Sequence, residues 1–271
     1  LSASRWERDV VLMLAPQRQA AILDRVRAAG GVRVTDLAGE FGVSDMTIRR
    51  DLDVLADRGL LAKVHGGATL VDPGATHEPG FVAKSARQQA EKAAIAARAA
   101  ELVVAGGAVA LSAGTTTVEL ARRLVDVPGL TVVTNSIPVA DVFYRDGRGD
   151  RTVILTGGVR TPSDALVGPV AVTALRDLHV DLLFLGVHGM SERAGYTTPN
   201  LMESDTNRAL ITAAARLVVL ADHTKWDVVG ISSMAELAAA QVVVSDPGLP
   251  APARDVLAGH GVELSIADPH R

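Results

Sequence analysis

Residues 43–68 read Val-Ser-Asp-Met-Thr-Ile-Arg-Arg-Asp-Leu-Asp-Val-Leu-Ala-Asp-Arg-Gly-Leu-Leu-Ala-Lys-Val-His-Gly-Gly-Ala. Ser44 suits a helix N-cap, because its hydroxyl can accept a first-turn N–H. Val43 and Ile48 flank it as a hydrophobic staple. Asp45 falls where the helix dipole favours an anion. Ile48, Leu52 and Leu55 then share an inward face, and Asp45, Thr47, Arg49, Arg50 and Asp53 an outward one, with Gly59 ending the helix. Upstream, Val34, Leu37, Ala38 and Phe41 follow the i, i+3, i+4, i+7 spacing of a second buried face. Thr35 is its expected N-cap, and Gly42 lets the chain turn. Downstream, Leu60 to Leu70 alternates loosely around Gly66-Gly67, which reads as a β-ribbon. Two short helices, a tight turn and a ribbon make a winged helix-turn-helix, and Arg49 and Arg50 beside Thr47 suit a helix laid in the major groove. The alternative is that the arginines are only a solvated helix face. The capped turn and the wing favour DNA.

Working outward, Ile22, Leu23 and Val26 give a preceding helix, stopped by Gly30-Gly31. Residues 1–15 contain an apolar run, Val10 to Leu14, too short to span a membrane and without a clear cleavage site. We read 1–15 as an N-terminal extension, 16–71 as the winged helix-turn-helix, 72–90 as a linker and 91–271 as a second domain. Asp72-Pro73-Gly74 and Glu78-Pro79-Gly80 supply the turn signals of the linker.

The segments Val43-Ser44, Thr47-Ile48-Arg49-Arg50-Asp51-Leu52 and Val64-His65-Gly66-Gly67-Ala68 resemble the signature of the DeoR family of bacterial transcriptional regulators. The family often has Arg where this chain has Lys63. The resemblance continues through most of the chain. It implies an N-terminal winged helix and a C-terminal domain that senses phosphorylated sugars or related metabolites.

Composition agrees. The chain of 271 residues accommodates a small domain and a larger one. A hydrophobic content of 48% without a long apolar run indicates a soluble globular protein. The absence of Cys excludes disulfide and thiolate chemistry and fits the cytoplasm. Ten basic and nine acidic residues lie before Asp72, seventeen and twenty-two from there on, so the DNA signal is local geometry rather than bulk charge.

After an alanine-rich helix, Lys92 to Val104, seven short apolar runs alternate with segments of helical spacing. They are Ala108–Leu111, Leu130–Val133, Thr152–Leu155, Val180–Leu185, Leu217–Leu220, Val242–Val244 and Val262–Ile266. Such runs indicate a parallel sheet covered on both faces, giving an α/β chain whose second domain is Rossmann-like. Ligands bind outside the carboxyl ends of such strands. There the sequence places Gly114-Thr115-Thr116-Thr117, Thr134-Asn135-Ser136, Thr156-Gly157-Gly158, Gly186-Val187-His188-Gly189 and Ala221-Asp222-His223-Thr224-Lys225.

Gly114 to Thr117 links a strand to a helix and is either a phosphate site at the helix N-terminus or an ordinary capped turn. It lacks the Lys of a Walker loop. Lys225 is the expected cation of the pocket, or else a surface lysine near Asp222 or Asp227. Asn135 and Ser136 can bond sugar hydroxyls, cap the helix near Pro138, or both. The family resemblance favours the effector reading, because the Gly-Thr-Thr, Thr-Asn-Ser, Gly157-Gly158 and Asp-x-x-Lys elements recur in DeoR-type sensor domains. Glu203 either faces the pocket or caps its helix, and His188 is ambiguous. The His residues are scattered, so no metal site is expected, and no cofactor.

The second domain also resembles sugar-phosphate isomerases in its order of elements. An isomerase needs a carboxylate base and a stabilising cation. Segment Gly186–Met190 has no acidic residue, and no Lys occurs between Leu185 and Thr224, so no catalytic residue is assigned. The expected protein is a DNA-binding transcriptional regulator, most simply a repressor, whose partners are an operator duplex and a phosphorylated sugar. Ser44, Thr47, Arg49 and Arg50 are expected to recognise DNA, with Lys63 and His65 on the wing touching phosphates. One such module reads few base pairs, so a homo-oligomer is expected.

Overall fold

The computed structural model describes residues 14–29, 31–58, 60–64, 66–69, 80–147 and 149–269. The expectations for residues 1–13, Gly30, Gly59, His65 and residues 70–79 lie outside this set. The chain forms two compact units, residues 1–73 and 74–271.

The first unit runs α1 (Ala15–Ala29), β1 (Gly31–Arg33), α2 (Val34–Phe41), α3 (Asp45–Asp57), β2 (Ala62–Val64) and β3 (Gly67–Thr69). Its core gathers Ile22 and Val26 from α1, Val34 and Leu37 from α2, Ile48, Leu52 and Leu55 from α3, and Leu61 and Ala68 from the ribbon. The spacing read from sequence therefore becomes the packed face. Two local features differ from expectation. Helix α2 begins one residue before Thr35, after Arg33, and no side chain caps it. Val34 is itself a buried core residue, so apolar packing sets this helix start. The ribbon also gains β1, in the order β1-β3-β2 with antiparallel pairing. A Cβ on Gly67 would lie 2.1 Å from the Val32 carbonyl oxygen, so β1 can approach only a glycine there. Gly42 ends α2 in the left-handed conformation, φ 64°, as expected.

The second unit opens with α4 (Phe81–Ser85) and α5 (Gln89–Ala100). Residues 80–90, read from sequence as the end of the linker, thus hold α4 and the start of α5. Phe81 donates its N–H to the Pro162 carbonyl and packs on this unit's core. There follow β4 (Ala108–Leu111), α6 (Thr115–Leu124), β5 (Thr131–Thr134), α7 (Ile137–Asp146), β6 (Thr152–Leu155), β7 (Val159–Arg160), β8 (Leu166–Val167) and α8 (Pro169–Leu175). Then come β9 (Val180–Gly186), β10 (Gly189–Ser191), β11 (Gly195–Thr198), α9 (Leu201–Ala213), β12 (Ala214–Leu220), β13 (Ser232–Ala235), β14 (Val242–Ser245), α10 (Ala251–Gly259) and β15 (Glu263–Ile266).

The seven apolar runs all become strands of one parallel sheet, ordered β15-β14-β12-β9-β4-β5-β6. One core, with Ile95, Leu120 and Phe143, places α5, α6 and α7 on one face; another, with Leu175, Leu210 and Leu257, places α8, α9 and α10 on the other. From β4 the chain builds outward to β5 and β6, then returns to lay β9 on the other side of β4. The strand order reverses between β4 and β9. A crevice opens outside the carboxyl ends at such a reversal. A β7–β8 hairpin and a small antiparallel sheet, β10-β11-β13, decorate this end.

Candidate DNA-reading face and effector site

Helix α3 starts as its sequence dictates. The Ser44 Oγ accepts the Thr47 N–H at 3.2 Å and lies 3.0 Å from the Thr47 hydroxyl. Ser44 and Thr47 therefore spend part of their hydrogen-bonding capacity on the cap, and Thr47 is half-buried at the flank of the helix. Arg49 and Arg50 are exposed and carry no ion pair among the described residues. Between them lies Met46, 71% exposed on the first turn of α3, which the sequence reading passed over. Its signal was a large apolar residue opposite the inward face. Lys63 on β2 is exposed and pairs with Asp53 of α3, so the ribbon is tied to the outward side of the helix.

Asp51 is the other residue whose role sequence left unassigned. It is buried on α3, where its Oδ2 accepts from Arg18 Nε at 2.6 Å and its Oδ1 from Gln19 Nε2 at 2.9 Å. Both partners belong to α1.

In the second unit, β4 leads through Ser112 and Ala113 to Gly114, whose extended backbone, φ 168°, caps α6 without a side-chain bond. The first-turn N–H groups of Thr115, Thr116 and Thr117 have no intrahelical acceptor by the geometry of a helix start. This turn sits at the strand-order reversal. Ser112 N–H donates to the Phe184 carbonyl and Gly186 N–H to Ser112 Oγ at 2.9 Å, which binds the ends of β4 and β9 together. A Cβ on Gly114 would meet the Gly186 Cα at 3.8 Å.

The expected side chains divide into two groups. Thr117 is buried, and its hydroxyl donates to the carbonyls of Ser112 and Gly114. Asn135 is buried, accepts from Ala113 N–H at 2.9 Å and donates to the Leu166 carbonyl at 3.2 Å. Ser136 caps α7 through the Val139 N–H. A Cβ on Gly158, φ +122°, would lie 2.5 Å from the Val167 carbonyl oxygen, so this glycine lets the hairpin close on itself. These groups shape and brace the turn. Gly157 follows β6 with φ +73°, and a Cβ there would meet the Val170 side chain at 3.6 Å. Thr115 and Thr116 remain at the helix start, the first half-exposed and the second 8% exposed.

Lys225 lies in a short 3-10 turn, His223 to Lys225, that is capped by the buried Asp222 carboxylate through Thr224 N–H at 3.0 Å. Its ammonium makes no hydrogen bond or ion pair among the described residues. Beside it stands Lys92 of α5, which sequence reasoning counted only as part of a helix. Lys92 is 5% exposed. Its Nζ donates to the carbonyls of Lys84, in the last turn of α4, and Arg87, just after it. Burial lowers its pKa to about 8; the neighbouring Asp222 opposes this, and Lys225 and Arg87 reinforce it. Lys92 and Thr115 share the wall of a cavity of about 170 Å³ between α4, α5 and α6. That is room for the anionic end of a ligand rather than for a whole drug-sized molecule. The signal for Lys92 was weak: one lysine on an alanine-rich helix face. A larger open groove, about 490 Å³, borders α2 and the ribbon of the first unit, between Arg33 and Asp36, and contains none of the effector candidates.

Glu203, half-buried on α9, accepts from Thr161 Oγ1 at 2.7 Å and Thr198 Oγ1 at 3.3 Å, while Asn200 caps that helix. His188 donates its backbone N–H to the Thr197 carbonyl. Among the described residues, no group of three His, Cys, Asp or Glu could hold a metal ion, and no helix is long and apolar enough to cross a membrane.

Comparison with known proteins adds the following. A DeoR-like helix-turn-helix domain matches residues 18–73, and a DeoR C-terminal sensor domain matches residues 87–247. The chain is 36% identical to the HTH-type transcriptional regulator GlpR of Haloferax volcanii, covering 93% of this chain and 98% of that one. It is 29% identical to the glycerol-3-phosphate regulon repressor of Escherichia coli, covering 94% and 100%. Among solved structures, ribose 5-phosphate isomerase A of Methanocaldococcus jannaschii matches 50% of this chain and 53% of its own at 17% identity and a TM-score of 0.37.

Proposed function

The chain belongs to the DeoR family of DNA-binding transcriptional regulators, and from that premise we propose that it represses a carbohydrate-metabolism operon and releases its operator when a phosphorylated sugar or related metabolite binds the second unit. The observation that carries the effector half is the meeting of three features at the β4–β9 reversal: an uncapped helix start at Gly114, the buried Lys92 that shares a cavity with Thr115, and Lys225 beside it. Open N–H groups with the positive end of the helix dipole favour an anion. Two ammonium groups add point charges in a partly desolvated setting. Thr115 and Thr116 flank the same turn, while Thr117, Asn135, Ser136, Gly157 and Gly158 hold its shape. The sugar end extends toward the β5 and β6 ends.

In the first unit, α3 enters the major groove. Its first turn, with Ser44, Met46 and Thr47, faces base edges, and Met46 supplies an apolar contact of the kind that suits a thymine methyl group. Arg49, Arg50, Lys63 and His65 contact phosphates. The protein acts in the cytoplasm as a homo-oligomer, because a single module reads few base pairs.

The test is a thermal-shift panel of sugars and polyols, each with and without a phosphate. A phosphorylated member should raise the melting midpoint and its unphosphorylated counterpart should not. Equal shifts for both would refute the anion site.

A further inference from the structure

We propose that the buried Arg18–Asp51–Gln19 cluster is a positioning device that fixes the roll of the recognition helix, so that Asp51 and Arg18 are specificity residues although neither reaches DNA. The inward face of α3 is Ile48, Leu52 and Leu55, all fully or nearly fully buried. Apolar contact is non-directional. A helix seated only on such a stripe can roll while keeping its residues covered. At roughly 100° per residue, Asp51 lies at one edge of that stripe, next to Thr47. A roll of about 40° toward that edge would keep most of the stripe covered, carry Asp51 to the flank that Thr47 holds and displace Arg50 from its place.

The cluster opposes that roll with direction. Asp51 is 4% and Arg18 7% exposed, and the carboxylate is gripped at both oxygens, by Arg18 Nε at 2.6 Å and Gln19 Nε2 at 2.9 Å. Charge-assisted hydrogen bonds hold tight distances and angles. A buried ion pair is a weak source of net stability, since desolvation offsets the attraction, and replacing it with apolar groups often leaves stability unchanged. Its retention beneath a DNA-reading surface is better explained by geometry: two bonds to one edge of α3 convert a loose stripe into a single register.

The test separates register from stability. A duplex enriched by the wild-type protein from a random pool serves as the specific site, and a scrambled duplex as the competitor. The double variant R18M/D51L replaces the pair with apolar groups of similar volume. It should keep its melting midpoint within a few degrees, while its preference for the selected duplex falls about tenfold or more, the loss of one good base contact. Its affinity for the scrambled duplex should change far less. Gln19→Met removes one bond and leaves the pair; it should lower the preference about threefold, and it decides the matter if the double variant does not fold. Undiminished preference in a folded R18M/D51L protein, or in Gln19→Met if the double variant is unfolded, would overturn the proposal. Failure of the wild type to enrich any sequence would instead count against sequence-specific DNA reading.

Discussion

Lys92 carries the sharpest chemical prediction. Its ammonium is buried and its pKa lowered to about 8, with burial the main cause. In the unfolded chain a lysine titrates near 10.4. Between these values the folded protein has released a proton that the unfolded chain keeps, so this group's contribution to stability rises with pH through that window; below about 8 both states are charged and the penalty is fully present. A bound phosphate dianion favours the charged form. Effector binding should therefore take up a proton above pH 8, and affinity should fall as pH rises from 7 to 9. Calorimetry in buffers of different ionisation enthalpy reads both effects. Lys92→Met should weaken binding about tenfold at pH 7 and abolish the pH dependence; an affinity that is flat across this range in the wild type would place Lys92 away from the phosphate. In the first unit, Arg50 is exposed on α3. Arg50→Ala should weaken selected and scrambled duplexes alike and reduce the salt slope by about one, as expected for a lost phosphate contact. An unchanged slope in equilibrium titrations would remove Arg50 from the docking face.

At the scale of elements, glycines show what sequence could and could not reveal. Gly158 was legible as part of a strand-end pair but not as the point where the β7–β8 hairpin closes. With φ +122° and the Val167 carbonyl oxygen 2.5 Å from a would-be Cβ, Gly158→Ala should cost the second unit about 1–3 kcal/mol and lower its melting midpoint by several degrees. Gly149→Ala meets nothing within 4 Å and should leave it nearly unchanged; equal midpoints for the two variants would show that the hairpin does not need the glycine. The five inner strands were readable because a strand covered on both faces must be largely apolar; the edge strands β6 and β15, with burial incomplete along their length, were readable only from their short β-branched and apolar runs. The Ser44 cap was readable because capping is local. Helix α4 was missed because its five residues are too few for periodicity, and its end is held by Lys92 from the next helix. Strand β1 was missed because three residues, Gly31–Arg33, gain their identity only from pairing with β3. The site followed the same division. The Gly114 turn and Lys225 stood out as strand-end punctuation, whereas Lys92 and Asp51 needed elements distant in sequence.

For the whole molecule, the proposed function couples two units: the first reads DNA, and effector binding to the second changes the affinity of that reading. Such coupling requires an effector whose affinity differs between the DNA-competent arrangement and another. A homo-oligomer presenting two copies of α3 should enrich duplexes with paired half-sites spaced by about one helical turn or a multiple of it, and light scattering should give a mass of at least two chains. The most direct measurement is fluorescence anisotropy of the selected duplex bound to the protein, titrated with the phosphorylated compound that raises its melting midpoint. The account predicts that the wild type lets go of the duplex while the unphosphorylated counterpart has no effect, and that Lys225→Met binds the duplex normally but no longer releases it. Release of the duplex by Lys225→Met at the wild-type effector concentration, or a bound effector that leaves operator affinity unchanged in the wild type, would contradict it.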